Sequence, residues 1–151
     1  MTVGAYVATV RPRWTDMDPY GHMNHAKMVT VLEEARIPLL FGEANRVGLT
    51  DLPKGIVVAS LTVRYLAPII VSGQDLRVDI TLTRLKFASF TLGYAVHDGP
   101  SAEDKVAVTA ETQLAPYDLA TGRPRRLSDP ERDFLRDRIA AGPETKGSER
   151  A

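Results

Sequence analysis

The sequence predicts an α+β domain: a five-stranded antiparallel sheet packed on one long helix, with a short helix near the C-terminus. Three observations lead there. Four segments alternate apolar and polar residues with a period of two, as long half-buried strands do. One segment ahead of them repeats apolar residues at steps of three and four, the period of a helix face. The four strand segments are joined by short stretches, too short to hold crossover helices.

Tyr6 to Arg13 is the first and weakest strand. The helix follows, with Met28, Leu32, Ala35 and Leu39 on one stripe and Lys27, Glu33, Glu34 and Arg36 mostly off it. Asn24 is suited to cap its start and Gly42 to stop it. Pro38 lacks an amide hydrogen and is expected to kink the last turn. Such a helix, about 18 residues at 1.5 Å each, spans about 27 Å and can cross a five-stranded sheet. The strands Val57–Leu66, Leu76–Thr83, Ser89–Val96 and Val106–Leu114 come next. Ser72-Gly73, Lys86 to Ala88 and His97 to Asp104 are expected to link antiparallel neighbours. Ser128 and Glu131 have capping-box spacing around Pro130, so the short helix begins there, with Phe134, Leu135 and Ile139 as its apolar side. Residues 1–139 are read as a single domain and 140–151 as a disordered tail, because Ala140 to Ala151 has little to bury. One helix covers only one face of such a sheet. Either the wetter face meets solvent or the sheet continues into a second subunit.

The 151 residues suit one domain. There is no cysteine, which excludes a disulfide framework, a thiolate zinc site and a cysteine nucleophile. The formal net charge is zero, from 19 basic and 19 acidic residues, which argues against a general nucleic-acid surface. No apolar run is long enough for a membrane-spanning helix, and the first residues do not resemble a secretory signal. The expected location is therefore cytoplasmic.

Chemistry concentrates between Arg13 and His25. This stretch holds Asp16, Asp18, His22, Asn24 and His25 with Pro19 and Gly21. By composition alone it is a polar loop ending in a helix cap. The order of its residues suggests more. Asp18 precedes Pro19, which pushes its backbone to an extended conformation and fixes the carboxylate. The loop feeds a helix N-terminus, where free amides and the helix dipole favour negative charge. A fixed carboxylate beside amides able to receive an oxyanion suits acyl transfer.

The chain resembles the hotdog-fold acyl-CoA thioesterases of the 4-hydroxybenzoyl-CoA thioesterase type. The likeness rests on Trp14-Thr15-Asp16-Met17-Asp18-Pro19-Tyr20-Gly21-His22-Met23-Asn24 and on Glu33-Glu34-Ala35-Arg36. It continues through Val63-Arg64-Tyr65-Leu66-Ala67-Pro68 and Ser72-Gly73-Gln74-Asp75 to Asp118-Leu119-Ala120-Thr121-Gly122-Arg123-Pro124. The resemblance implies a long helix wrapped by a curved sheet, and homodimers or homotetramers with active sites at the dimer interface. It implies that Asp18 is the catalytic carboxylate, nucleophile or general base, and that the backbone amide of His25 is the oxyanion donor. Many relatives carry a second asparagine where this chain has His25, and an aromatic where it has Met28. That departure affects the acyl pocket and leaves the amide in place.

Tyr20, His22 and Asn24 are candidate substrate contacts, against duller roles as loop and cap residues. Asp16 is expected to order the loop. Glu33 or Glu34 is expected to pair with Arg36 or Lys27, and Arg64 and Tyr65 to shape their strand. Arg84, Lys86 and Ser89 are candidate contacts for coenzyme A, and Arg123, Arg125 and Arg126 form a second basic cluster. The substrate is an acyl-CoA or an acyl-carrier thioester, and coenzyme A is part of it, so no separate cofactor is expected. His22, His25 and His97 lack the pattern of a zinc site. No phosphate-binding glycine loop or serine nucleophile elbow occurs. Two other readings fit less well. One is a hydratase or dehydratase of the same fold using Asp16 and His22. The other is a non-catalytic binder of acyl thioesters.

Overall fold

Alternation in the sequence becomes one antiparallel sheet in the structure, a computed structural model that describes residues 4–142. Strands β1 (Tyr6–Val10), β2 (Ile56–Tyr65), β3 (Leu76–Leu85), β4 (Phe90–His97) and β5 (Val106–Asp118) lie in the order β1-β3-β4-β5-β2. A two-residue strand β6 (Arg123–Pro124) folds back on β5. The long helix α1 (His25–Ile37) packs on one face and is followed by Pro38–Glu43 and α2 (Ala44–Arg46). Helix α3 (Asp129–Arg138) closes the chain. This is the hotdog arrangement that the resemblance implied.

The expected helix stripe is the buried one: Met28, Leu32, Ala35 and Leu39 are all at or near zero exposure. They meet Val78, Ile80, Leu92, Val96, Val108 and Leu114 from the sheet in a single apolar core. Asn24 caps the helix as expected, its side chain accepting the Ala26 amide at 2.9 Å. The stop at Gly42 is corrected. Helical backbone continues to Arg46, and Pro38 is accommodated by a wide π-type turn over Pro38–Glu43. A wider turn spares proline the missing donor and the clash with the preceding turn. The true stop is Gly48, at φ +85°, where the Leu49 amide donates to the Ala44 carbonyl and the Gly48 amide to that of Asn45. That pattern is the Schellman motif.

Two further expectations change. Ser72-Gly73 does not join antiparallel neighbours. β2 pairs only with β5, while β3 lies between β1 and β4. The segment 66–75 therefore passes the ends of β5 and β4, and it docks the Asp18 loop on the way. Nor does β4 have a wet face. Thr91 and Gly93, on its expected wetter side, are buried, because Gly93 is small enough for Thr83 to lie across it.

The α3 cap is a full capping box. Ser128 accepts the Glu131 amide, and Glu131 accepts the Ser128 amide at 2.8 Å. Glu131 is almost fully buried and takes a bidentate pair of hydrogen bonds from Arg125, both 2.8 Å. Past the helix, Ala140 to Gly142, assigned to the tail, are held against β3: the Leu82 amide donates to Ala140 and the Gly142 amide to Leu82. The rest of the expected tail, 143–151, lies outside the described residues. No helix among the described residues is long and apolar enough to cross a membrane.

Candidate active site

The Asp18 loop is built by its own short-range chemistry. A 3-10 turn, Trp14–Asp16, is closed by the Asp16 carboxylate, whose Oδ2 accepts the Arg13 amide at 2.7 Å. Asp16 is buried, and its Oδ1 meets no donor among the described residues. Its expected role, ordering the loop, matches this geometry. Asp18 then reverses the chain. Its amide donates to the His22 carbonyl at 2.7 Å, and its carbonyl accepts from Gly21 at 3.1 Å. Gly21 supplies the positive φ, +80°, that the reversal needs. The Asp18 Oδ1 accepts two amides, from Tyr20 at 2.8 Å and His22 at 3.0 Å. Its Oδ2 has no hydrogen-bond partner among the described residues.

Three contacts hold this loop in place from outside. The Met23 amide donates to Ile69 at 2.7 Å, and Val71 to Gly21 at 3.1 Å. Tyr65 Oη donates to the His25 carbonyl at 2.6 Å, while the rings of Tyr65 and His25 meet edge to face at 6.4 Å. Partial burial pushes the Tyr65 phenol above its ordinary value, so it stays a donor at neutral pH. The helix start is thus clamped between its cap and a strand. Ala26 is taken by the cap, and the Lys27 and Met28 amides by the Asn24 carbonyl. The His25 amide has no acceptor among the described residues, as expected at a first helical position.

Beside this amide opens a cavity of about 350 Å³, walled by Met23, Met28, Ile69 and Val108 with His25 and Tyr65 at its rim. Met28 narrows it less rigidly than an aromatic would, because its side chain is unbranched and adaptable. The structure thus sets the His25 amide beside an apolar cavity, with the Asn24 cap and the Asp18 loop leading into that helix start; neither Asp18 nor Asn24 walls the cavity. His22 contributes its backbone, and its imidazole has no hydrogen-bond partner among the described residues. Tyr20 sits at the loop tip, 82% exposed. Neither His22 nor Tyr20 lines the cavity.

Arg84, Lys86 and Ser89 are not at this site within one chain. They occupy the turn between β3 and β4, at the far end of strands whose near end meets the loop. Lys86 is exposed, and Ser89 accepts a 3.3 Å hydrogen bond from Gln113. Of the second basic cluster, Arg125 is engaged with Glu131. His97 stays apart from the other two histidines, buried between the Asp104 carbonyl at 2.8 Å and Asp79 Oδ2 at 3.1 Å. Among the described residues no group of three histidine or acidic side chains is placed to hold a metal ion.

Sequence reasoning missed Tyr65, read there as a strand residue. Of the apolar wall Leu66–Ile69, only Leu66, Ala67 and Pro68 belong to the motif behind the resemblance, and Ile69 carries no sequence signal. The wall's alternation with β2 gave no sign that the chain turns there to roof the helix start.

A curved antiparallel sheet around a helix, with an acidic loop feeding that helix beside an apolar cavity, defines a hotdog protein of thioesterase type. The pattern of the thioesterase-like superfamily matches residues 12–139, and the chain belongs to that superfamily. Among solved structures it is similar to a thioesterase from Thermus thermophilus in complex with coenzyme A and zinc. Identity is 27%, coverage is 87% of this chain and 92% of that one, and the TM-score is 0.69. A Pseudomonas aeruginosa protein provisionally assigned as a thioesterase is 28% identical, over 85% of this chain and 96% of that one, with TM-score 0.70. A Bacillus stearothermophilus protein assigned as a thioesterase by prediction shares the fold: 20% identity, 92% and 99% coverage, TM-score 0.77. No curated protein matches the chain.

Proposed function

We propose that the protein is an acyl-CoA thioesterase, hydrolysing an acyl thioester to a carboxylic acid and coenzyme A, as the resemblance to the 4-hydroxybenzoyl-CoA thioesterase type implies. One observation carries the reading: Asp18 holds one carboxylate oxygen on two loop amides and leaves the other without a partner among the described residues, in the loop that leads into the helix start where an apolar cavity opens. The free oxygen has two routes. It removes a proton from water while the water oxygen attacks the thioester carbon. Alternatively it attacks that carbon itself, giving a mixed anhydride that water then opens. In both, the carbonyl oxygen becomes an oxyanion received by the His25 amide, and the carbon–sulfur bond breaks to release the thiolate of coenzyme A, which takes up a proton. Hydration of an enoyl thioester would need Asp16 and His22 together, whereas the Asp16 carboxylate is buried against Arg13.

Assembly belongs to the same reading. β2 is exposed along most of its length, and its second edge is unpaired among the described residues. Val57, Val58, Leu61 and Tyr65 on it are large, apolar and 38–51% exposed. A row of free amides and carbonyls with apolar side chains is a template for another strand. Two copies joined antiparallel along β2 would set the Arg84–Ser89 end of one subunit towards the Asp18 end of the other. The candidate coenzyme A contacts would then serve the partner's site.

Thiol release from a panel of acyl-CoA substrates tests the reading. Asp18→Asn should lower turnover at least about a hundredfold with fold and assembly unchanged. Near-normal turnover in that variant refutes the assigned chemistry. Tight acyl-CoA binding by the unaltered protein with no thiol released across the panel identifies a binder instead.

A further inference from the structure

A second cavity, of about 240 Å³, lies further along the same side of α1, between that helix and β2. Ile37, Phe41, Ile56 and Val58 form its apolar walls, and Glu33 and Arg36 its polar ones. The two cavities share one groove. Tyr65 meets the start of α1, and Ile56 and Val58 meet the segment after its end, so the helix runs beside β2 in the opposite direction.

Arg36 is unusual within this groove. Its side chain is only 11% exposed. A guanidinium carries five donors and stays charged, so burying it is costly unless those donors are satisfied. Arg36 has two recorded contacts, both long. Nη1 lies 3.5 Å from the Tyr94 hydroxyl, and Nη2 lies 3.8 Å from Glu33. Glu33 is itself 63% exposed, so its hold on Arg36 is weakened by water. The Thr112 hydroxyl, beside the Tyr94 phenol, is buried and without a well-formed hydrogen bond. Burial also pushes the Tyr94 phenol above its ordinary value, keeping it a neutral donor. Arg36 thus places a cationic donor group at an otherwise apolar cavity, with Glu33 as its weakly held counter-charge, while Tyr94 and Thr112 lie buried in the core, Tyr94 in contact with Arg36.

We infer that Arg36 is a specificity-determining residue that binds a carboxylate carried on the acyl group, so that the preferred substrates are thioesters of dicarboxylic acids rather than plain fatty acyl thioesters. This rests on the thioesterase reading and names its substrate class. A planar guanidinium matches a carboxylate through two parallel hydrogen bonds, which a methyl-ended chain cannot offer. Glu33 occupies Arg36 in the empty protein and turns to solvent when the substrate carboxylate arrives. Arg36 lies eleven residues beyond His25, about 16 Å along the helix, so a carboxylate bound there sits well away from the thioester carbon. Pairing of two β2 edges also brings a partner's helix start towards the same cavity. The recognition chemistry is the same in either case, and the chain length that binds best reports which subunit holds the thioester.

The test pairs octanoyl, dodecanoyl and hexadecanoyl-CoA with their ω-carboxy counterparts, and adds calorimetric binding of free dodecanedioate. In the unaltered protein the ω-carboxy thioesters should show kcat/KM at least about tenfold above their partners for the best length. Arg36→Met should remove that ratio while sparing the plain thioesters. Glu33→Gln, which removes the competing anion, should tighten dodecanedioate binding several-fold. A preference for methyl-ended chains, or an Arg36→Met effect equal on both classes, overturns the inference. Should Arg36→Met not fold, dodecanedioate binding that Glu33→Gln leaves unchanged also overturns it. Failure of all thioesters to be hydrolysed sinks the thioesterase reading alone, because dodecanedioate binding strengthened by Glu33→Gln still supports the Arg36 site.

Discussion

Tyr65 links a strand to the helix start through one hydrogen bond, 2.6 Å from its hydroxyl to the His25 carbonyl. Removing that hydroxyl takes away a constraint on the peptide next to the free His25 amide. Tyr65→Phe should cost about 1 kcal/mol in denaturant unfolding, the usual worth of one such bond. It should also lower kcat more than it raises KM, since an oxyanion donor matters most in the transition state. A change confined to KM would mean that the ring, not the hydroxyl, is what the site uses. At this scale the sequence was partly legible. Asp18 and Asn24 announce themselves because their local settings are a carboxylate before proline and a cap, while the positive φ of Gly21 is seen only in the structure. Arg36 was legible only towards its expected neighbour Glu33, and Tyr65 not at all, because the further partners of Tyr65 and Arg36 lie 40 and 58 residues away. Nothing in a strand or helix pattern encodes such a pairing.

Caps built from near neighbours were read correctly, while the helix end and the strand order, which depend on packing, were not. The Ser128–Glu131 box fixes α3 from four adjacent residues. The Gly42 stop failed because the core stripe continues through Leu39, Leu40 and Ala44, and their burial outweighs the weak propensity of one glycine. Glu131 offers a test at this scale. Burial alone would raise its carboxyl, but the hydrogen bonds from Arg125 and Ser128 more than offset this and hold it below the usual carboxylate value. A carboxylate depressed in the folded state contributes stability at pH above its unfolded value, and that contribution fades as pH falls through the folded value. Glu131→Gln should therefore cost about 2–3 kcal/mol at neutral pH, under the range for a fully buried pair because Arg125 is partly exposed. The loss should shrink on acidification. An equal loss at neutral and acid pH would assign the effect to packing.

For the whole molecule, the fold class and the five main strands followed from periodicity, but the two-residue β6 and the strand order did not. Period two shows which face of a strand is buried and is silent about which strand lies beside it. β2 shows the consequence. Its alternation matched that of its fellows, yet it lies at an edge, with apolar residues on a surface that one chain leaves open. A charge placed on that edge tests its use. Leu61→Lys should convert dimers to monomers in analytical ultracentrifugation and abolish thiol release, leaving the monomer folded by circular dichroism. A dimeric, fully active Leu61→Lys protein would exclude pairing along this strand.

The crossover from β2 to β3 also bears on the order in which the molecule is made. The Asp18 loop leaves the ribosome early, but Tyr65, Ile69 and Val71, which hold it, come much later. β2 in turn waits for β5, its one partner strand in the chain, because β3 and β4 are synthesised between them. During translation the nascent chain therefore carries an apolar strand with both edges bare, the kind of segment that invites mispairing or chaperone capture. The acidic loop carries the bonds of its own turn, but the contacts that dock it come only after that strand has emerged and turned.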